Sequence, residues 1–361
     1  MPNPYILYWL GTIRPQDADV VREVLSDREE QVLAALVRAY VDTGAPVGSS
    51  TLLELERLDV STSTIRKTLA SLEDKGFVQQ LHTSAGRMPT DKAYRFYATH
   101  ALGRVSSGGG TELGMLRRQI EVKMQQVSAD EIHGQLAEII GDVSMQLGLV
   151  LAPQFEQVRV DRLELVRLTE GRMLLVVALE TGPVRSLVIE VGTTADAREV
   201  AGVSVRLNER LAGLMVWEVR ATVRERIREL GAGFEPALLR AVIEEIATLT
   251  TPSKDTLHVA GARNICVQPE FRDASDVAGL FDLVEHREVL AGLLSDREGV
   301  VITIGDENER HELHLCGLVT ASYQVHGAVG VVGVMGPTRM PYDRVVALVN
   351  YAAFRAADLV A

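Results

Sequence analysis

A string of cap and breaker residues divides residues 25–90 into short pieces of fixed order. Ser26 or Asp27 can cap a first helix through Leu25–Thr43, "LSDREEQVLAALVRAYVDT", in which Val32, Leu33, Leu36, Val37 and Tyr40 recur at helical spacing. Gly44 ends that helix and Pro46 blocks its continuation. Ser49 or Ser50 opens a short second helix holding Leu52, Leu53 and Leu55. After a turn at "RLDV", Ser61 caps a third helix, "TSTIRKTLASLEDK", which stops at Gly76. Phe77–Leu81 then reads as a strand, Gly86 turns the chain, and Met88 begins a short return. Helix, helix, turn, helix, hairpin is the order of a winged helix-turn-helix.

At 361 residues the chain exceeds what one core usually serves, so two or three domains are expected. Asp91–Leu102 reads as a further helix. "GRVSSGGGTE" (Gly103–Glu112) has the Gly/Ser composition of a flexible linker. Leu113–Leu149 is largely helical by pattern. Val158–Val191 reads as antiparallel strands, "RLELVRL", "RMLLVVALE" and "VRSLVIEV", with turns at Glu170–Gly171 and Thr181–Gly182–Pro183. Thr194–Thr250 is mostly helical. Strand patterns return at "TLHVAG", "GVVITIG", "HELHLCGLVTASYQV" and "GAVGVVGVMG", and a helix from Tyr342 closes the chain. The second region is therefore mixed α+β, with a helical segment inserted between its strand groups.

The net charge of −12 argues against a chain that coats nucleic acid without selectivity. Against that background stands a local basic island. Val60–Arg104 carries seven cations (Arg66, Lys67, Lys75, Arg87, Lys92, Arg95, Arg104) and three acids (Glu73, Asp74, Asp91), a local excess of 7 − 3 = +4. Two distant cysteines, Cys266 and Cys316, imply no disulfide framework and suit a reducing cytoplasm. No apolar run nears the ~20 residues that span a bilayer, so no membrane partner is expected. "PYILYWLGTI" lacks a basic leader and a small-residue cleavage site, which argues against a signal peptide. Residues 1–24 are left as an extension, either a docking segment or sequence upstream of a later true start.

At 100° per residue, Ile65, Leu69 and Leu72 fall in one stripe of the third helix, which must face a core. Ser63, Lys67 and Ala70 lie opposite, flanked by Thr64 and Arg66. Small hydroxyls and cations in the first half of such a helix are what meets base edges in a major groove. Ser61 and Thr62 stand at the helix N-terminus, which favours phosphate. In the hairpin, Arg87 can pair with phosphate or enter a minor groove, and His82, Thr83 and Ser84 can donate to the backbone, setting register without reading sequence. The alternative is a solvated polar face on a small structural domain. Tyr94 and Tyr97, at i and i+3, indicate packing.

No catalytic, cofactor or metal residues are expected. "HELHLC" is not the H-E-x-x-H zinc signature. On a strand, Glu312, His314 and Cys316 would share one face, but a fourth ligand is missing, and an ordinary strand is the favoured reading. "GAVGVVG" sits among strands with no helix directly after it, so its glycines are read as close backbone packing. A small-molecule sensor fused to a DNA reader is the competing function class, although Val158–Val191 and Gly299–Gly336 hold no convergent polar set that names a ligand.

"HTSAGRMPTDKAYRFY" (His82–Tyr97) closely resembles the wing and following helix of the HrcA heat-inducible transcription repressors. The resemblance extends through "YVDTGAPVGSSTL", "VSTSTIRKTLASLEDKGF", "LHVAGARNICVQPEFRD" and "GVVGVMGPTRMPYDRVVALVNY", covering about residues 25–361 in the right order. It implies a winged-helix domain over 25–104, a linker over 105–112, a GAF-like domain with its leading helix over 113–193 and 263–361, and an inserted dimerisation domain over 194–262. It also implies a homodimer on an inverted-repeat operator in double-stranded DNA upstream of chaperone operons, and a chaperonin that keeps the repressor active. Three features depart from the family pattern. Lys67 and Thr68 stand where the family usually has Asn-Asp, residues 1–24 have no counterpart, and "HELHLCG" differs.

Overall fold

The computed structural model describes residues 25–56, 60–80, 86–106, 111–124, 131–155, 158–180, 184–191, 196–228, 236–249, 256–271, 274–325 and 327–360. The chain divides into two compact units. The first takes the chain up to Leu151, Leu257–Tyr323 and Val331–Leu359; the second takes Ala152–Thr256 and Gln324–Gly330.

Helix α1 (Asp27–Thr43) begins with a capping box: Ser26 Oγ accepts from the Glu29 amide while the Glu29 carboxylate accepts from the Ser26 amide at 2.9 Å. Val32, Leu33, Leu36 and Val37 are buried along it, and Gly44 closes it in the left-handed region at φ 63°, donating to Tyr40 O. Helices α2 (Ser49–Glu56) and α3 (Thr62–Asp74) follow, with Ile65, Leu69 and Leu72 of α3 buried as their spacing predicts. Glu29 also joins α1 to α3, accepting from Ser71 Oγ and Lys75 Nζ, each at 2.8 Å. The Lys75 ammonium, followed by the Ser26 amide, holds the Glu29 carboxyl down to about 2.

The hairpin is short. Strand β1 (Val78–Gln79) pairs antiparallel with β2 (Met88–Pro89), and an outer bridge joins Arg87 to Val47, between α1 and α2. Gly86 is required there, because a Cβ on it would lie 2.5 Å from the Val47 carbonyl carbon. Helix α4 (Asp91–Ser106) has Ala93 through Ala98 buried without a break, which no one-sided helix does. Helix therefore enters the Gly/Ser-rich stretch from both sides, since α4 runs to Ser106 and α5 (Thr111–Met124) begins after four intervening residues. Helix α6 (Ile132–Ser144) leads into strand β3 (Leu147–Gln154), so Leu147–Leu149 is strand where the sequence pattern reads helix.

The second unit is a three-stranded sheet in the order β4 (Val160–Thr169), β5 (Arg172–Leu179), β6 (Arg185–Glu190), with α7 (Ala197–Leu211), α8 (Val216–Arg228) and α9 (Pro236–Leu249). Leu163, Leu165, Leu175 and Ile189 share a core with Val203, Leu207, Val223 and Val242. The edge of β4 is met by helix side chains: the Leu163 amide donates to Asn208 Oδ1 at 2.9 Å and the Leu165 amide to Ser204 Oγ at 2.7 Å. These strands thus group with the helices that follow them. The resemblance described above places them instead with residues 263–361.

The chain then returns to the first unit. A five-stranded sheet runs in the order β7 (Leu257–Ala260), β3, β10 (Ala328–Pro337), β9 (Cys316–Val325), β8 (Val300–Ile304). Helices α10 (Ala262–Cys266), α11 (Ala274–Glu285) and α12 (Arg287–Ser295) lie between β7 and β8, and Leu280, Leu283, Leu290 and Leu294 pack on the sheet residues Leu149, Leu318 and Met335. Helix α13 (Tyr342–Val360) closes the fold. Gly333 of "GAVGVVG" faces Thr320 and Val319 so closely that a Cβ would stand 3.1 Å from Thr320 Cγ2.

Two substitutions test this packing. Glu29→Gln should cost about 1–3 kcal/mol at neutral pH through its charged hydrogen bonds. A depressed folded-state pKa adds stability above the unfolded value and loses it as pH falls toward about 2, so the gap between native and variant in urea melts should close between pH 4.5 and 2. Gly86→Ala should cost roughly 2 kcal/mol or more, because the Val47 backbone must move. Faster hydrogen exchange at the Val47 and Arg87 amides would locate the damage, and native exchange rates at both would refute the clash.

Candidate nucleic-acid interface

The outward face of α3 begins at its cap. Ser61 has extended backbone angles (φ −71°, ψ 154°), and its hydroxyl accepts from the Thr64 amide at 3.2 Å. The same oxygen lies 2.8 Å from Ser63 Oγ and 2.9 Å from Thr64 Oγ1, so three hydroxyls form one cluster over the helix N-terminus. Thr62 beside them is half-buried. One turn on, Arg66, Lys67 and Ala70 are exposed, while Thr68 is buried with its hydroxyl donating to Thr64 O. Thr68 therefore lies behind the face, and Lys67 lies on it. Arg66 Nε donates to Ser49 Oγ at 3.2 Å, which draws its guanidinium toward the start of α2.

Four other cations of the basic island, Lys75, Arg87, Lys92 and Arg95, are engaged in structure. Lys75 pairs with Glu29. Lys92 donates to Lys75 O at 2.8 Å and lies 4.5 Å from the Phe77 ring centroid. Arg95 is buried against Glu307. Arg87 donates through Nε and Nη2 to Glu73 Oε2 at 3.1 and 2.9 Å, so its guanidinium braces the base of the hairpin against α3. Glu73 was no part of the site expected from sequence; it lies 14 residues from its partner, and only the fold joins them. Of the island's described side chains, Arg66 and Lys67 are the exposed cations. His82, Thr83 and Ser84 lie outside the described residues.

The "HELHLC" segment is not a strand. His311–Leu313 is a 3-10 turn, Glu312 accepts from Arg310 Nη2 at 2.7 Å, and β9 begins only at Cys316. The three side chains do not share a strand face, and burial pushes the Cys316 thiol up to about 12, away from the thiolate a metal needs. Among the described residues, no group of three or more His, Cys, Asp or Glu could hold a metal ion, and no helix is long and apolar enough to cross a membrane.

Residues 130–346 match the model of the family described as HrcA protein C terminal domain. A heat-inducible transcription repressor HrcA from Natranaerobius thermophilus is 35% identical over 330 residues, covering 91% of this chain and 95% of that protein. One from Chlorobium phaeobacteroides is 35% identical over 345 residues, covering 92% and 97%. A crystal structure of a hypothetical protein is similar in fold, with a TM-score of 0.62 at 23% identity, covering 93% of this chain and 99% of that one. With the α3 face and the two units now placed, and with the match running through both units, the chain belongs to the HrcA family of heat-inducible transcription repressors.

Proposed function

We propose that this protein is a sequence-specific DNA-binding repressor of heat-shock chaperone operons. It acts as a homodimer on an inverted-repeat operator, and a chaperonin sustains its active form. The observation that carries the reading is the α3 face. Ser63, Arg66 and Lys67 in the first half of α3, with Ala70 beyond them, are exposed on a helix whose opposite side is buried, in a chain similar along its length to curated heat-inducible repressors. On this reading residues 25–104 form a winged helix-turn-helix, the five-stranded sheet with its helices is the GAF-like part, and the second unit contains the dimerisation element.

The physical roles follow from placement. Arg66 and Lys67 reach base edges or flanking phosphates in the major groove. The cluster of Ser61, Ser63 and Thr64, with Thr62, offers hydroxyls and amides at a helix N-terminus to phosphate. His82, Thr83 and Ser84 hold the backbone from the wing. Arg87 joins them only by exchanging Glu73 for phosphate, so its contact comes at the cost of an existing ion pair. One such module has few contacts, and two related by a two-fold axis read two half-sites. Loss of chaperonin on heating would then release transcription.

Fluorescence anisotropy tests the reading. The purified chain is titrated onto a duplex carrying an inverted repeat from upstream of a chaperone operon, beside a scrambled duplex, at two salt concentrations and with or without chaperonin. A preference of roughly a thousandfold is expected. Arg66→Ala and Lys67→Ala should each weaken binding about 5- to 30-fold, with Lys67→Ala reducing the salt slope by about 1. Native affinity in both variants would sink the α3 assignment.

A further inference from the structure

The turn from β10 into α13, "GPTRMPY", takes no part in the proposed DNA contact, yet it carries a side chain with three partners. Arg339 Nη1 donates to Val41 O at 2.9 Å, Nη2 donates to Gln268 Oε1 at 2.9 Å, and Nε pairs with Glu270. Val41 lies in the last turn of α1, where carbonyls lack partners within the helix and a cation is favoured by the helix dipole. Gly44, which closes α1, lies against the guanidinium, 3.7 Å from Arg339 Cζ to the place its Cβ would occupy. Glu270 belongs to the turn Pro269–Phe271, whose Phe271 side chain is part of the core under the five-stranded sheet. Arg339 thus ties the C-terminal end of α1 to a core-anchored turn.

A second tie sits on another helix and reaches another element. Arg95 of α4 donates through Nε to Glu307 Oε1 at 2.7 Å and through Nη2 to Ile302 O at 2.9 Å. Glu307 is itself held by the Ile304 amide at 2.8 Å, so the carboxylate is fixed at the end of β8. A body held at one point pivots; held at two separated points on different helices, it keeps one orientation. Because Glu29 bonds α1 to Ser71 and Lys75 at the end of α3, the α3 face follows α1.

We propose that Arg339 and Arg95 form a two-point clamp that determines operator specificity by fixing the half-site spacing the protein accepts. They are positioning residues: neither needs to touch DNA, and both set where the α3 face is presented. The inference rests on the reading above, in which two such faces bind one inverted repeat. Spacing between half-sites is a geometric readout of how rigidly the two recognition helices are held. A flexible mount would accept several spacings at reduced effective concentration, whereas a clamped one selects. Lysine cannot replace arginine here, because one ammonium cannot reach a helix carbonyl, an amide and a carboxylate held in a fixed fork.

The experiment has two arms on the full chain. In the first, Cys266→Ser removes the exposed thiol, and spin labels are placed at Gln31→Cys on α1 and Glu288→Cys on α12, both exposed positions. Labelled chain is diluted into unlabelled chain so that each measured distance lies within one protomer. A single narrow distance is expected for the otherwise native chain, and a broadened one for Arg339→Ala, Arg339→Lys and Glu307→Gln. In the second, each unlabelled protein is titrated onto inverted repeats whose half-sites are moved together or apart by up to four base pairs. The native chain should discriminate among spacings by roughly 30-fold or more and Arg339→Ala by less than about 3-fold, with an unchanged salt slope because no phosphate contact is lost. If Arg339→Ala does not fold, Arg339→Lys and Glu307→Gln report the same two quantities. A narrow distance in the variants overturns the clamp, and native spacing discrimination beside a broadened distance overturns its role in specificity. If the native chain binds no duplex selectively, the DNA reading fails and the spacing role with it, while the distances still decide whether Arg339 holds α1.

Discussion

Arg95 is 4% exposed, and a guanidinium keeps its charge at any pH a protein meets. Such a group stays buried only where its charge and its donors are met, and here Glu307 and Ile302 O meet them. Removing the carboxylate would strand the charge, so α4 has one place to lie. That placement decides much of the first unit. Phe96 on one side of α4 meets Phe77 edge-on at 5.7 Å, while Tyr97 on another donates to Asp343 Oδ2 at 2.8 Å and Tyr94 lies 6.3 Å from Tyr342. The hairpin, α1, β8 and the start of α13 thus all meet α4, whose Ala93–Ala98 stretch is buried without a break. Asp91, at its start, shares this cost, since burial and the neighbouring Asp306 raise its carboxyl above the ordinary value.

Charge along the chain is not charge on the surface. The island from Val60 to Arg104 has four more cations than acids, yet Lys75, Arg87 and Arg95 each sit on a carboxylate and Lys92 on a carbonyl and a ring. Two of those carboxylates, Glu29 and Glu307, come from outside the window, so counting within it could not reveal them. In this chain the basic run fastens elements to one another at Lys75, Arg87, Lys92 and Arg95. The face left over is small, with Arg66 and Lys67 beyond a cluster of hydroxyls, and small faces select by geometry more than by charge.

Legibility followed the range of the interactions involved. The ends of α1 and α3 could be read because caps act within three or four residues: Ser26 with Glu29, Ser61 with Thr64, Gly44 with Tyr40. The core stripe of α3 and the burial of Tyr94 and Tyr97 follow from helical periodicity. Strand β3 escaped because "LGLVLA" is a short apolar run after a helix, and periodicity does not separate a buried strand from a helix end. "HELHLC" alternates like a strand, but Asn308 Nδ2 bonds to Gly305, Leu313 and Cys316 carbonyls and folds the segment into turns. The grouping of β4–β6 with α7–α9 depended on Asn208 and Ser204 reaching back some forty residues, and Arg87 and Arg339 depended on partners set by the fold.

The acidity of the chain gives that small face its setting. A net charge of −12 makes most of the surface repel a phosphate backbone at distances up to the Debye length, about 8 Å at physiological salt. On the proposed reading, encounters in the wrong orientation are brief, and the α3 side presents its exposed cations Arg66 and Lys67 to DNA. On the same reading, non-specific affinity, which comes almost wholly from phosphate contacts, would be kept low by that charge. In the proposed homodimer, a single face with two exposed cations gains occupancy only when the second face engages at the same time. For such a protein the relative placement of the two faces matters more than the strength of either. On that reading, the fastening of α1 by Arg339 and of α4 by Arg95 is the structural counterpart of a weakly basic surface on an acidic body.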